Sequence, residues 1–542
     1  MERNLLRSAI LILFLFVGIS GFGQTIRYVK QSAFGTADGT SWANAGNDLQ
    51  AMINISSSGD QIWIAGGIYK PNRAANDINT VTLNNRDNAF VLKEGVKIYG
   101  GFAGTENAIT QRDLTITANE SVLSGDFNDN DNPYAYLSTS ENAYHVVVIA
   151  GNNGVINNNT VLDGFTVKGG NASGSNSLAI NGIAVSRGSG GGISINNSNP
   201  LISNIIITLN SAGDGGGLYN SSSSPLIIKS TLQNNKAGSG GGISNYNSTP
   251  SILNSSVSLN TAMFGGGINN YNSSALVTST VITGNNAIGY EGSQYDSGGD
   301  GLGGGIYNDA SSPVITNCLI AGNNAEGGNG IDNHGMGDSD GSAGGSGYGG
   351  GIYNYQSSPT ITNTTLIYNG TFSGSGYGTG YRRGGGLYNE TGSSPKVRNS
   401  IIYGNTATTG TNIYNSGSTP VFNYSLVQGS SSGWNNLGTN GGNNIDADPL
   451  FTNVSTGNYV PQGTSSVINA GSNAYYEVGA TPDLSEITTD LAGDSRNFEG
   501  TVDIGAYEVQ GTPCSASSPT ASAQIFCGSS TVANLTATGT DL

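Results

Sequence analysis

Four tyrosines, Tyr307, Tyr353, Tyr388 and Tyr414, each stand between an Ile or Leu and an Asn in the same short motif. Alternation along an extended strand turns the aliphatic residue one way and the ring the other, so these rings are expected on an outer face. Tyr348 and Tyr377 lie in adjoining segments with Tyr290, Tyr295 and Tyr381, as do Arg382 and Arg383, the one compact basic pair there. Flat rings beside Asn and Ser hydrogen-bonding groups suit a sugar chain, which offers apolar ring faces and hydroxyl edges. The same tyrosines also fit a structural stack on a pleated surface.

A second group of residues could hold a hard cation. Asp126, Asn128, Asn130 and Asp131 place oxygen ligands at close spacing, and Asp338 and Asp340 form a smaller cluster. Calcium takes such ligands, but neither run is an EF-hand, because the closing Glu is replaced by Leu137 in one and Gly349 in the other. Asp- and Asn-rich turns also occur simply as solvated turns. Structural Ca²⁺ is therefore an open reading, and no cofactor is required. His145 falls in an expected strand and His334 has no second His or Cys near it, so a transition-metal site is not indicated.

The elements that must position these groups are set by a repeat. Gly-Gly-Gly followed by Ile or Leu begins at Gly190, Gly215, Gly240, Gly265, Gly303, Gly349 and Gly384, with the first four starts 25 residues apart. Counting from the first Gly, Asn recurs at the sixth position (Asn245, Asn270), Pro at the eleventh (Pro250), and an apolar residue two places later (Ile252). A second apolar group (Val257) and a further Asn (Asn260) complete the unit. Short alternating bursts separated by Gly, Asn, Ser and Pro are strands joined by tight turns. Three strands in about 25 residues, repeated at a fixed period, predict an all-β, right-handed parallel β-helix. Ile62–Ile64, Val91–Tyr99, Val146–Ile149 and Leu162–Val167 extend the stack upstream, and Asp48–Ile55 fits a helix capping its N-terminal end. Beyond Gly265 the beat lengthens to 38, 46 and 35 residues, so three insertions enter at one corner of neighbouring coils. Insertions stacked on one face of a solenoid commonly build its binding surface, although surface loops also drift in length.

Bulk properties narrow the partners. The net charge of −17 makes nucleic acid a poor ligand, because phosphate binding needs a cationic footprint. Arg3 and Arg7 followed by the apolar Ser8–Gly23 are expected to form an export signal, leaving a secreted or outer-surface chain with no transmembrane helix. Three cysteines cannot make a disulfide scaffold; Cys318 falls in a strand, and Cys514 and Cys527 could pair in the tail.

The repeats resemble those of secreted right-handed β-helix proteins of Bacteroidetes type. Asp38–Asn44, Gly59–Ala65, Leu123–Asp126 and Leu162–Thr166 look like the start of that family. Asp448–Phe451, Ile468–Gly471, Asp490–Gly493 and Val502–Glu508 are similar to its choice-of-anchor Q module. Residues 512–542 resemble the start of an immunoglobulin-like β-sandwich. Taken with the repeat and the export signal, the resemblance leads to an expected division into a signal peptide over 1–23, a cap and irregular coils over 24–189, regular coils over 190–430, the helix end and anchor module over 431–510, and a truncated module over 511–542. It implies no catalytic residues.

Three functions remain in view: a binding or adhesion scaffold for polysaccharide or cell-surface glycan, a polysaccharide lyase or glycoside hydrolase of the same fold, and a structural spacer. The coil positions carry Ser, Thr and Asn where a lyase needs a base and a hydrolase converging carboxylates. The expectation is a binding module acting through Tyr307, Tyr353, Tyr388, Tyr414, Tyr348, Tyr377, Arg382 and Arg383.

Overall fold

The structure, a computed structural model, describes residues 24–132, 139–151, 156–293, 295–331 and 341–511. The expected coil is present. In one regular unit, Ile243–Tyr246, Ser251–Leu253 and Ser256–Ser258 form three short strands. Each pairs in parallel with its equivalent one coil away, as in Ile243↔Ile268, Ile252↔Val277 and Val257↔Ile282. The result is a right-handed parallel β-helix with three long sheets, of 10 strands beginning with Phe90–Val91, 13 beginning with Ile26–Val29, and 11 beginning with Gly67–Tyr69. We call these the first, second and third sheets, in the order a coil visits them. Ile243, Ile252 and Val257 point inward and are fully buried, and their equivalents stack into one continuous core. The helix Leu49–Ile55 caps the N-terminal end: Asp48 accepts from Ala51 N, and Leu49, Met52 and Ile53 are buried. Among the described residues no helix is long and apolar enough to cross a membrane.

The corner between the third and first sheets explains the glycine triplet. The first Gly of each triplet has a left-handed backbone, with φ near +64° at Gly215, Gly240 and Gly384. The third is small for a different reason. A Cβ on Gly242 would lie 2.8 Å from Gly267 O and 3.0 Å from Asn260 Nδ2. That Asn belongs to a buried ladder: Asn210, Asn235, Asn260, Asn285, Asn323, Asn369 and Asn405 each pass a side-chain amide bond to the next at 2.9–3.1 Å. The receiving Oδ1 also accepts the backbone N–H of the previous Asn, as in Asn235 N to Asn260 Oδ1 at 3.0 Å. The ladder ends by design of the sequence. Asn412 occupies the place of the third glycine in the last coil, accepts from Asn405 and donates to Gln428 Oε1. A second ladder runs from Asn220 to Asn415 through the sixth position. The ladder residues and the left-handed turn residues are distinct sets, the latter including Asn234, Asn254 and Asn272.

After Thr439–Asn440, the last rung of the second sheet, the chain turns back along the flank of the helix. Val467 and Ile504 pack there on Leu319, Ile367, Ile401 and Leu426. Asn363 and Asn399 at the turn between second and third sheets donate to Asp503 O and Ser472 O, which fixes the segment in place. The expected export signal, His334, the Asp338 and Asp340 cluster, Cys514, Cys527 and the β-sandwich start all lie outside the described residues.

Two stability predictions follow from this packing. Asn260→Ala removes the acceptor of Asn235 N and the amide donor to Leu232 O and Asn285 Oδ1, and orphaned buried groups cost about 1–3 kcal/mol each. Chemical denaturation should therefore show a loss of roughly 3 kcal/mol or more; a change of only a few tenths would mean that the ladder is not a stabilising element. His145, almost fully buried, donates from Nδ1 to Gly190 O at 2.9 Å, and burial lowers its pKa to about 4. The unfolded ring titrates near 6.5, so its contribution is complete above that pH and is lost as pH falls towards 4. The shift corresponds to roughly 3 kcal/mol. His145→Gln should shrink the difference in denaturation midpoint between pH 7 and pH 4.5; an unchanged difference would assign acid lability to other groups.

Candidate functional site

The fifth-position residues of the first sheet form one outward column: Ser194, Tyr219, Ser244, Asn269, Tyr307, Tyr353, Tyr388 and Tyr414, paired in register. The expected tyrosine row is there, but the faces between successive rings are taken up by stacking. Tyr307, Tyr353, Tyr388 and Tyr414 stack with ring centroids 4.9–5.2 Å apart and planes within 18° of parallel. Rungs about 4.8 Å apart bring identical in-register rings face to face, so each ring covers its neighbour. Tyr353 and Tyr388 are only 6% exposed. Tyr348 tilts against Tyr388 at 5.0 Å, Arg383 lies over Tyr381 and Tyr414, and Tyr353 donates its hydroxyl to Glu390. Burial pushes the Tyr388 hydroxyl up to about 12 and raises Tyr307 and Tyr353 further. Arg382 donates to Thr371 O at 2.7 Å and covers Phe372. The row is a stack whose inner rings cover one another, while Tyr307 at its end is half-buried and lines a groove.

The inserted segments also differ from open loops. Gly328 donates to Gly299 O, Gly345 to Gly328 O and Gly374 to Gly345 O, so the three insertions pack backbone against backbone. A Cβ on Gly298, Gly328, Gly345 or Gly374 would come within 1.9 Å of a carbonyl oxygen, and none of these four has a positive φ. Glycine is needed here for close approach. Tyr290, Tyr295, Tyr377 and Tyr381 remain exposed around this packed bundle.

An open site lies two coils earlier, where the column breaks. Ser244 and Asn269 replace tyrosine, the floor drops, and a groove of about 420 Å³ opens between Tyr219 and Tyr307. Asp214, Ser239 and Phe264 form one wall, and Tyr246, Tyr271 and Asp309 the other. Tyr246 and Tyr271 stand at the seventh position, stacked on each other at 5.4 Å and 42% and 46% exposed. Asn269 Nδ2 donates to Ser244 Oγ at 3.0 Å across the floor. Burial raises the carboxyl pKa of both Asp214, which is bonded to the Ser239 and Ser189 hydroxyls, and Asp309. No Lys, Arg or His is among the described lining residues. The sequence signal was a departure from the repeat: Tyr-Ser-Asn-Tyr at the fifth position, flanked by paired tyrosines at the seventh.

The two carboxylates lie far apart. Asp214↔Ser239↔Phe264↔Leu302 and Tyr271↔Asp309 are rung pairs, so Asp214 and Asp309 are three rungs apart. At about 4.8 Å per rung the axial separation is about 14 Å. Glycosidase carboxylate pairs span roughly 5–9.5 Å, which this pair exceeds.

The acidic cluster near Asp126 keeps two of its four expected members. Asp126 accepts from the backbone N–H groups of Asn128, Asn130 and Asp131, while the Asn128 and Asn130 side chains are exposed. Glu141, distant in sequence, completes the group with Asp126 and Asp131. Burial, with Asp126 and Glu141 close by, pushes Asp131 up to about 6.

Fold and rung geometry define the chain as a right-handed parallel β-helix repeat protein. No family model matches it, and no curated protein matches it. Among solved structures it is similar to pectate lyase Pel9A, at 15% identity over 90% of this chain and 98% of that one, with a TM-score of 0.48. It is also similar to XylC, solved in complex with xylose, at 9% identity over 74% of this chain and 75% of that one, with a TM-score of 0.37.

The stack and the groove wall should respond differently to truncation. Tyr353→Ala leaves a hole in a buried ring stack and is expected to cost about 3 kcal/mol or more in chemical denaturation. Tyr271→Ala, on the half-open wall, should cost under about 1 kcal/mol. Equal losses would contradict the division between a structural row and an open wall.

Proposed function

We propose that this protein is an exported, non-catalytic β-helix that binds a neutral polysaccharide in the groove between Tyr219 and Tyr307. The observation that carries this reading is the break in the tyrosine column. It leaves a surface cleft with aromatic walls, Ser and Asn on the floor, and a carboxylate near each end. Sugar rings can pack on the aromatic walls, and sugar hydroxyls can donate to Asp214 and Asp309. A polyuronate would meet two carboxylates with no cation to balance them, so like-charge repulsion selects against it. Export is supported by the basic and apolar run over Arg3–Gly23. Hydrolysis is the second reading, because two carboxylates of raised pKa do line a groove. Their separation of about 14 Å places them outside the span of a glycosidase pair.

Affinity electrophoresis on a polysaccharide panel, with new reducing ends assayed in parallel, tests this proposal. Neutral glycans should retard the protein, polygalacturonate and alginate should not, and no reducing ends should appear. Tyr246→Ala combined with Tyr271→Ala should weaken retention at least tenfold. Preference for polyuronates would overturn the charge argument, and release of ends would overturn the non-catalytic one.

A further inference from the structure

The insertion over Gly125–Ala143 leaves the third sheet after Ser121–Ser124 and re-enters towards the first sheet at Val147–Ala150. Ala143 N donates to Gly125 O at 2.9 Å, which closes the base of the excursion. At that base one oxygen from each of Asp126, Asp131 and Glu141 lies within 4.8 Å of the others. Like charges at such spacing repel, and although Asp126 accepts three backbone N–H groups, the other two carboxylates are left with unmet acceptors. Asp131 Oδ1 and Glu141 Oε1 are buried atoms without a hydrogen-bond partner. Beside them Asn142, only 1% exposed, donates its amide nitrogen to Asp131 Oδ2 at 2.8 Å, while its own Oδ1 has no partner. Buried acceptors without donors are costly, and three of them on the neighbouring side chains Asp131, Glu141 and Asn142 call for a cation.

The chemistry of the donors selects the ion. All are oxygens, with no His or Cys, which suits a hard cation. Three oxygens within 4.8 Å of one another surround a point no more than about 2.8 Å from each, so a small inward turn of the side chains reaches the calcium–oxygen range of about 2.3–2.6 Å. Lys168 also lines the adjoining pocket of about 220 Å³, and Asp129 is paired with Lys70 at 2.7 Å. Three carboxylates against Lys168 leave two negative charges to be balanced, the charge of one divalent ion. The irregular donor set, drawn from a turn and from Glu141-Asn142, suits calcium's flexible shell better than the strict octahedron of magnesium.

We infer that Asp126, Asp131, Glu141 and the Asn142 side-chain oxygen form a calcium site that staples the base of this insertion. The site does the work that glycine packing does in the later insertions, and it is independent of glycan binding in the groove.

Isothermal titration of the full chain, stripped with chelator and titrated with CaCl₂ or MgCl₂ at pH 7, tests the assignment. Wild-type protein should show a saturable calcium site that is weakened at least 100-fold in the Asp131→Asn, Glu141→Gln double variant. Magnesium should bind at least tenfold more weakly than calcium. Far-UV circular dichroism of the metal-free variant, matched to wild type, checks that it is folded. As a second readout that needs no variant, calcium should raise the melting temperature of the wild type above that in chelator. Absence of both heat and a melting shift in the wild type would overturn the site. So would calcium binding that survives the double substitution, and magnesium binding as tight as calcium would overturn the choice of ion.

Discussion

The rest of the molecule depends on one contact: an asparagine amide seated over a glycine at the corner between the third and first sheets. Asn260 Nδ2 can reach Asn285 Oδ1 and Leu232 O because Gly242 leaves no Cβ in its path. The ladder satisfies polar groups inside a corner that water cannot reach, and it fixes the axial spacing of the coils. Any side chain larger than hydrogen at that glycine would separate the amide from its neighbours. Asn412 makes the same point in reverse. It stands where a third glycine would, at the coil where the ladder stops, and Gln428 takes its last amide bond.

Fixed register has a consequence for the surface. Equivalent side chains recur at the rung spacing, and that distance suits ring stacking as well as backbone pairing. A column of identical tyrosines therefore spends its faces on itself, as Tyr307 to Tyr414 do. An open ring face needs an interruption, and Ser244 with Asn269 supplies one across two coils. In the proposed reading the interruption also sets selectivity, because the described residues around it include Asp214 and Asp309 but no Lys, Arg or His. Regularity carries stability here, and its local failure carries the candidate site.

Much of the scaffold was legible in the amino-acid sequence, since each repeat position has one physical task. The inward Ile and Leu, the sixth-position Asn and the helix over Leu49–Ile55 stand where periodicity and capping put them. The outward direction of the tyrosines was legible too. Their burial was not, because alternation gives direction and says nothing about what a neighbour one coil away covers. The insertions were legible as a shared corner of neighbouring coils, but the close approach of Gly299, Gly328 and Gly345 that packs their described residues together was not. Asp126 and Asp131 were visible as neighbours in sequence. Glu141 and Asn142 were not, since only the closing of the chain at Gly125 and Ala143 brings them there. Cys318, expected in a strand, lies between Val314–Thr316 and Leu319–Ala321; it is fully buried, and burial pushes its thiol up to about 12.

The most direct measurement restores the column. Ser244→Tyr with Asn269→Tyr would continue the stack from Tyr219 to Tyr307 and fill the groove. Thermal unfolding and neutral-glycan retention would be read on the same preparation. If the break is the binding site, the filled protein melts no lower than wild type and loses retention at least tenfold. A filled protein that melts normally and still binds glycan as wild type does would contradict a site at the break.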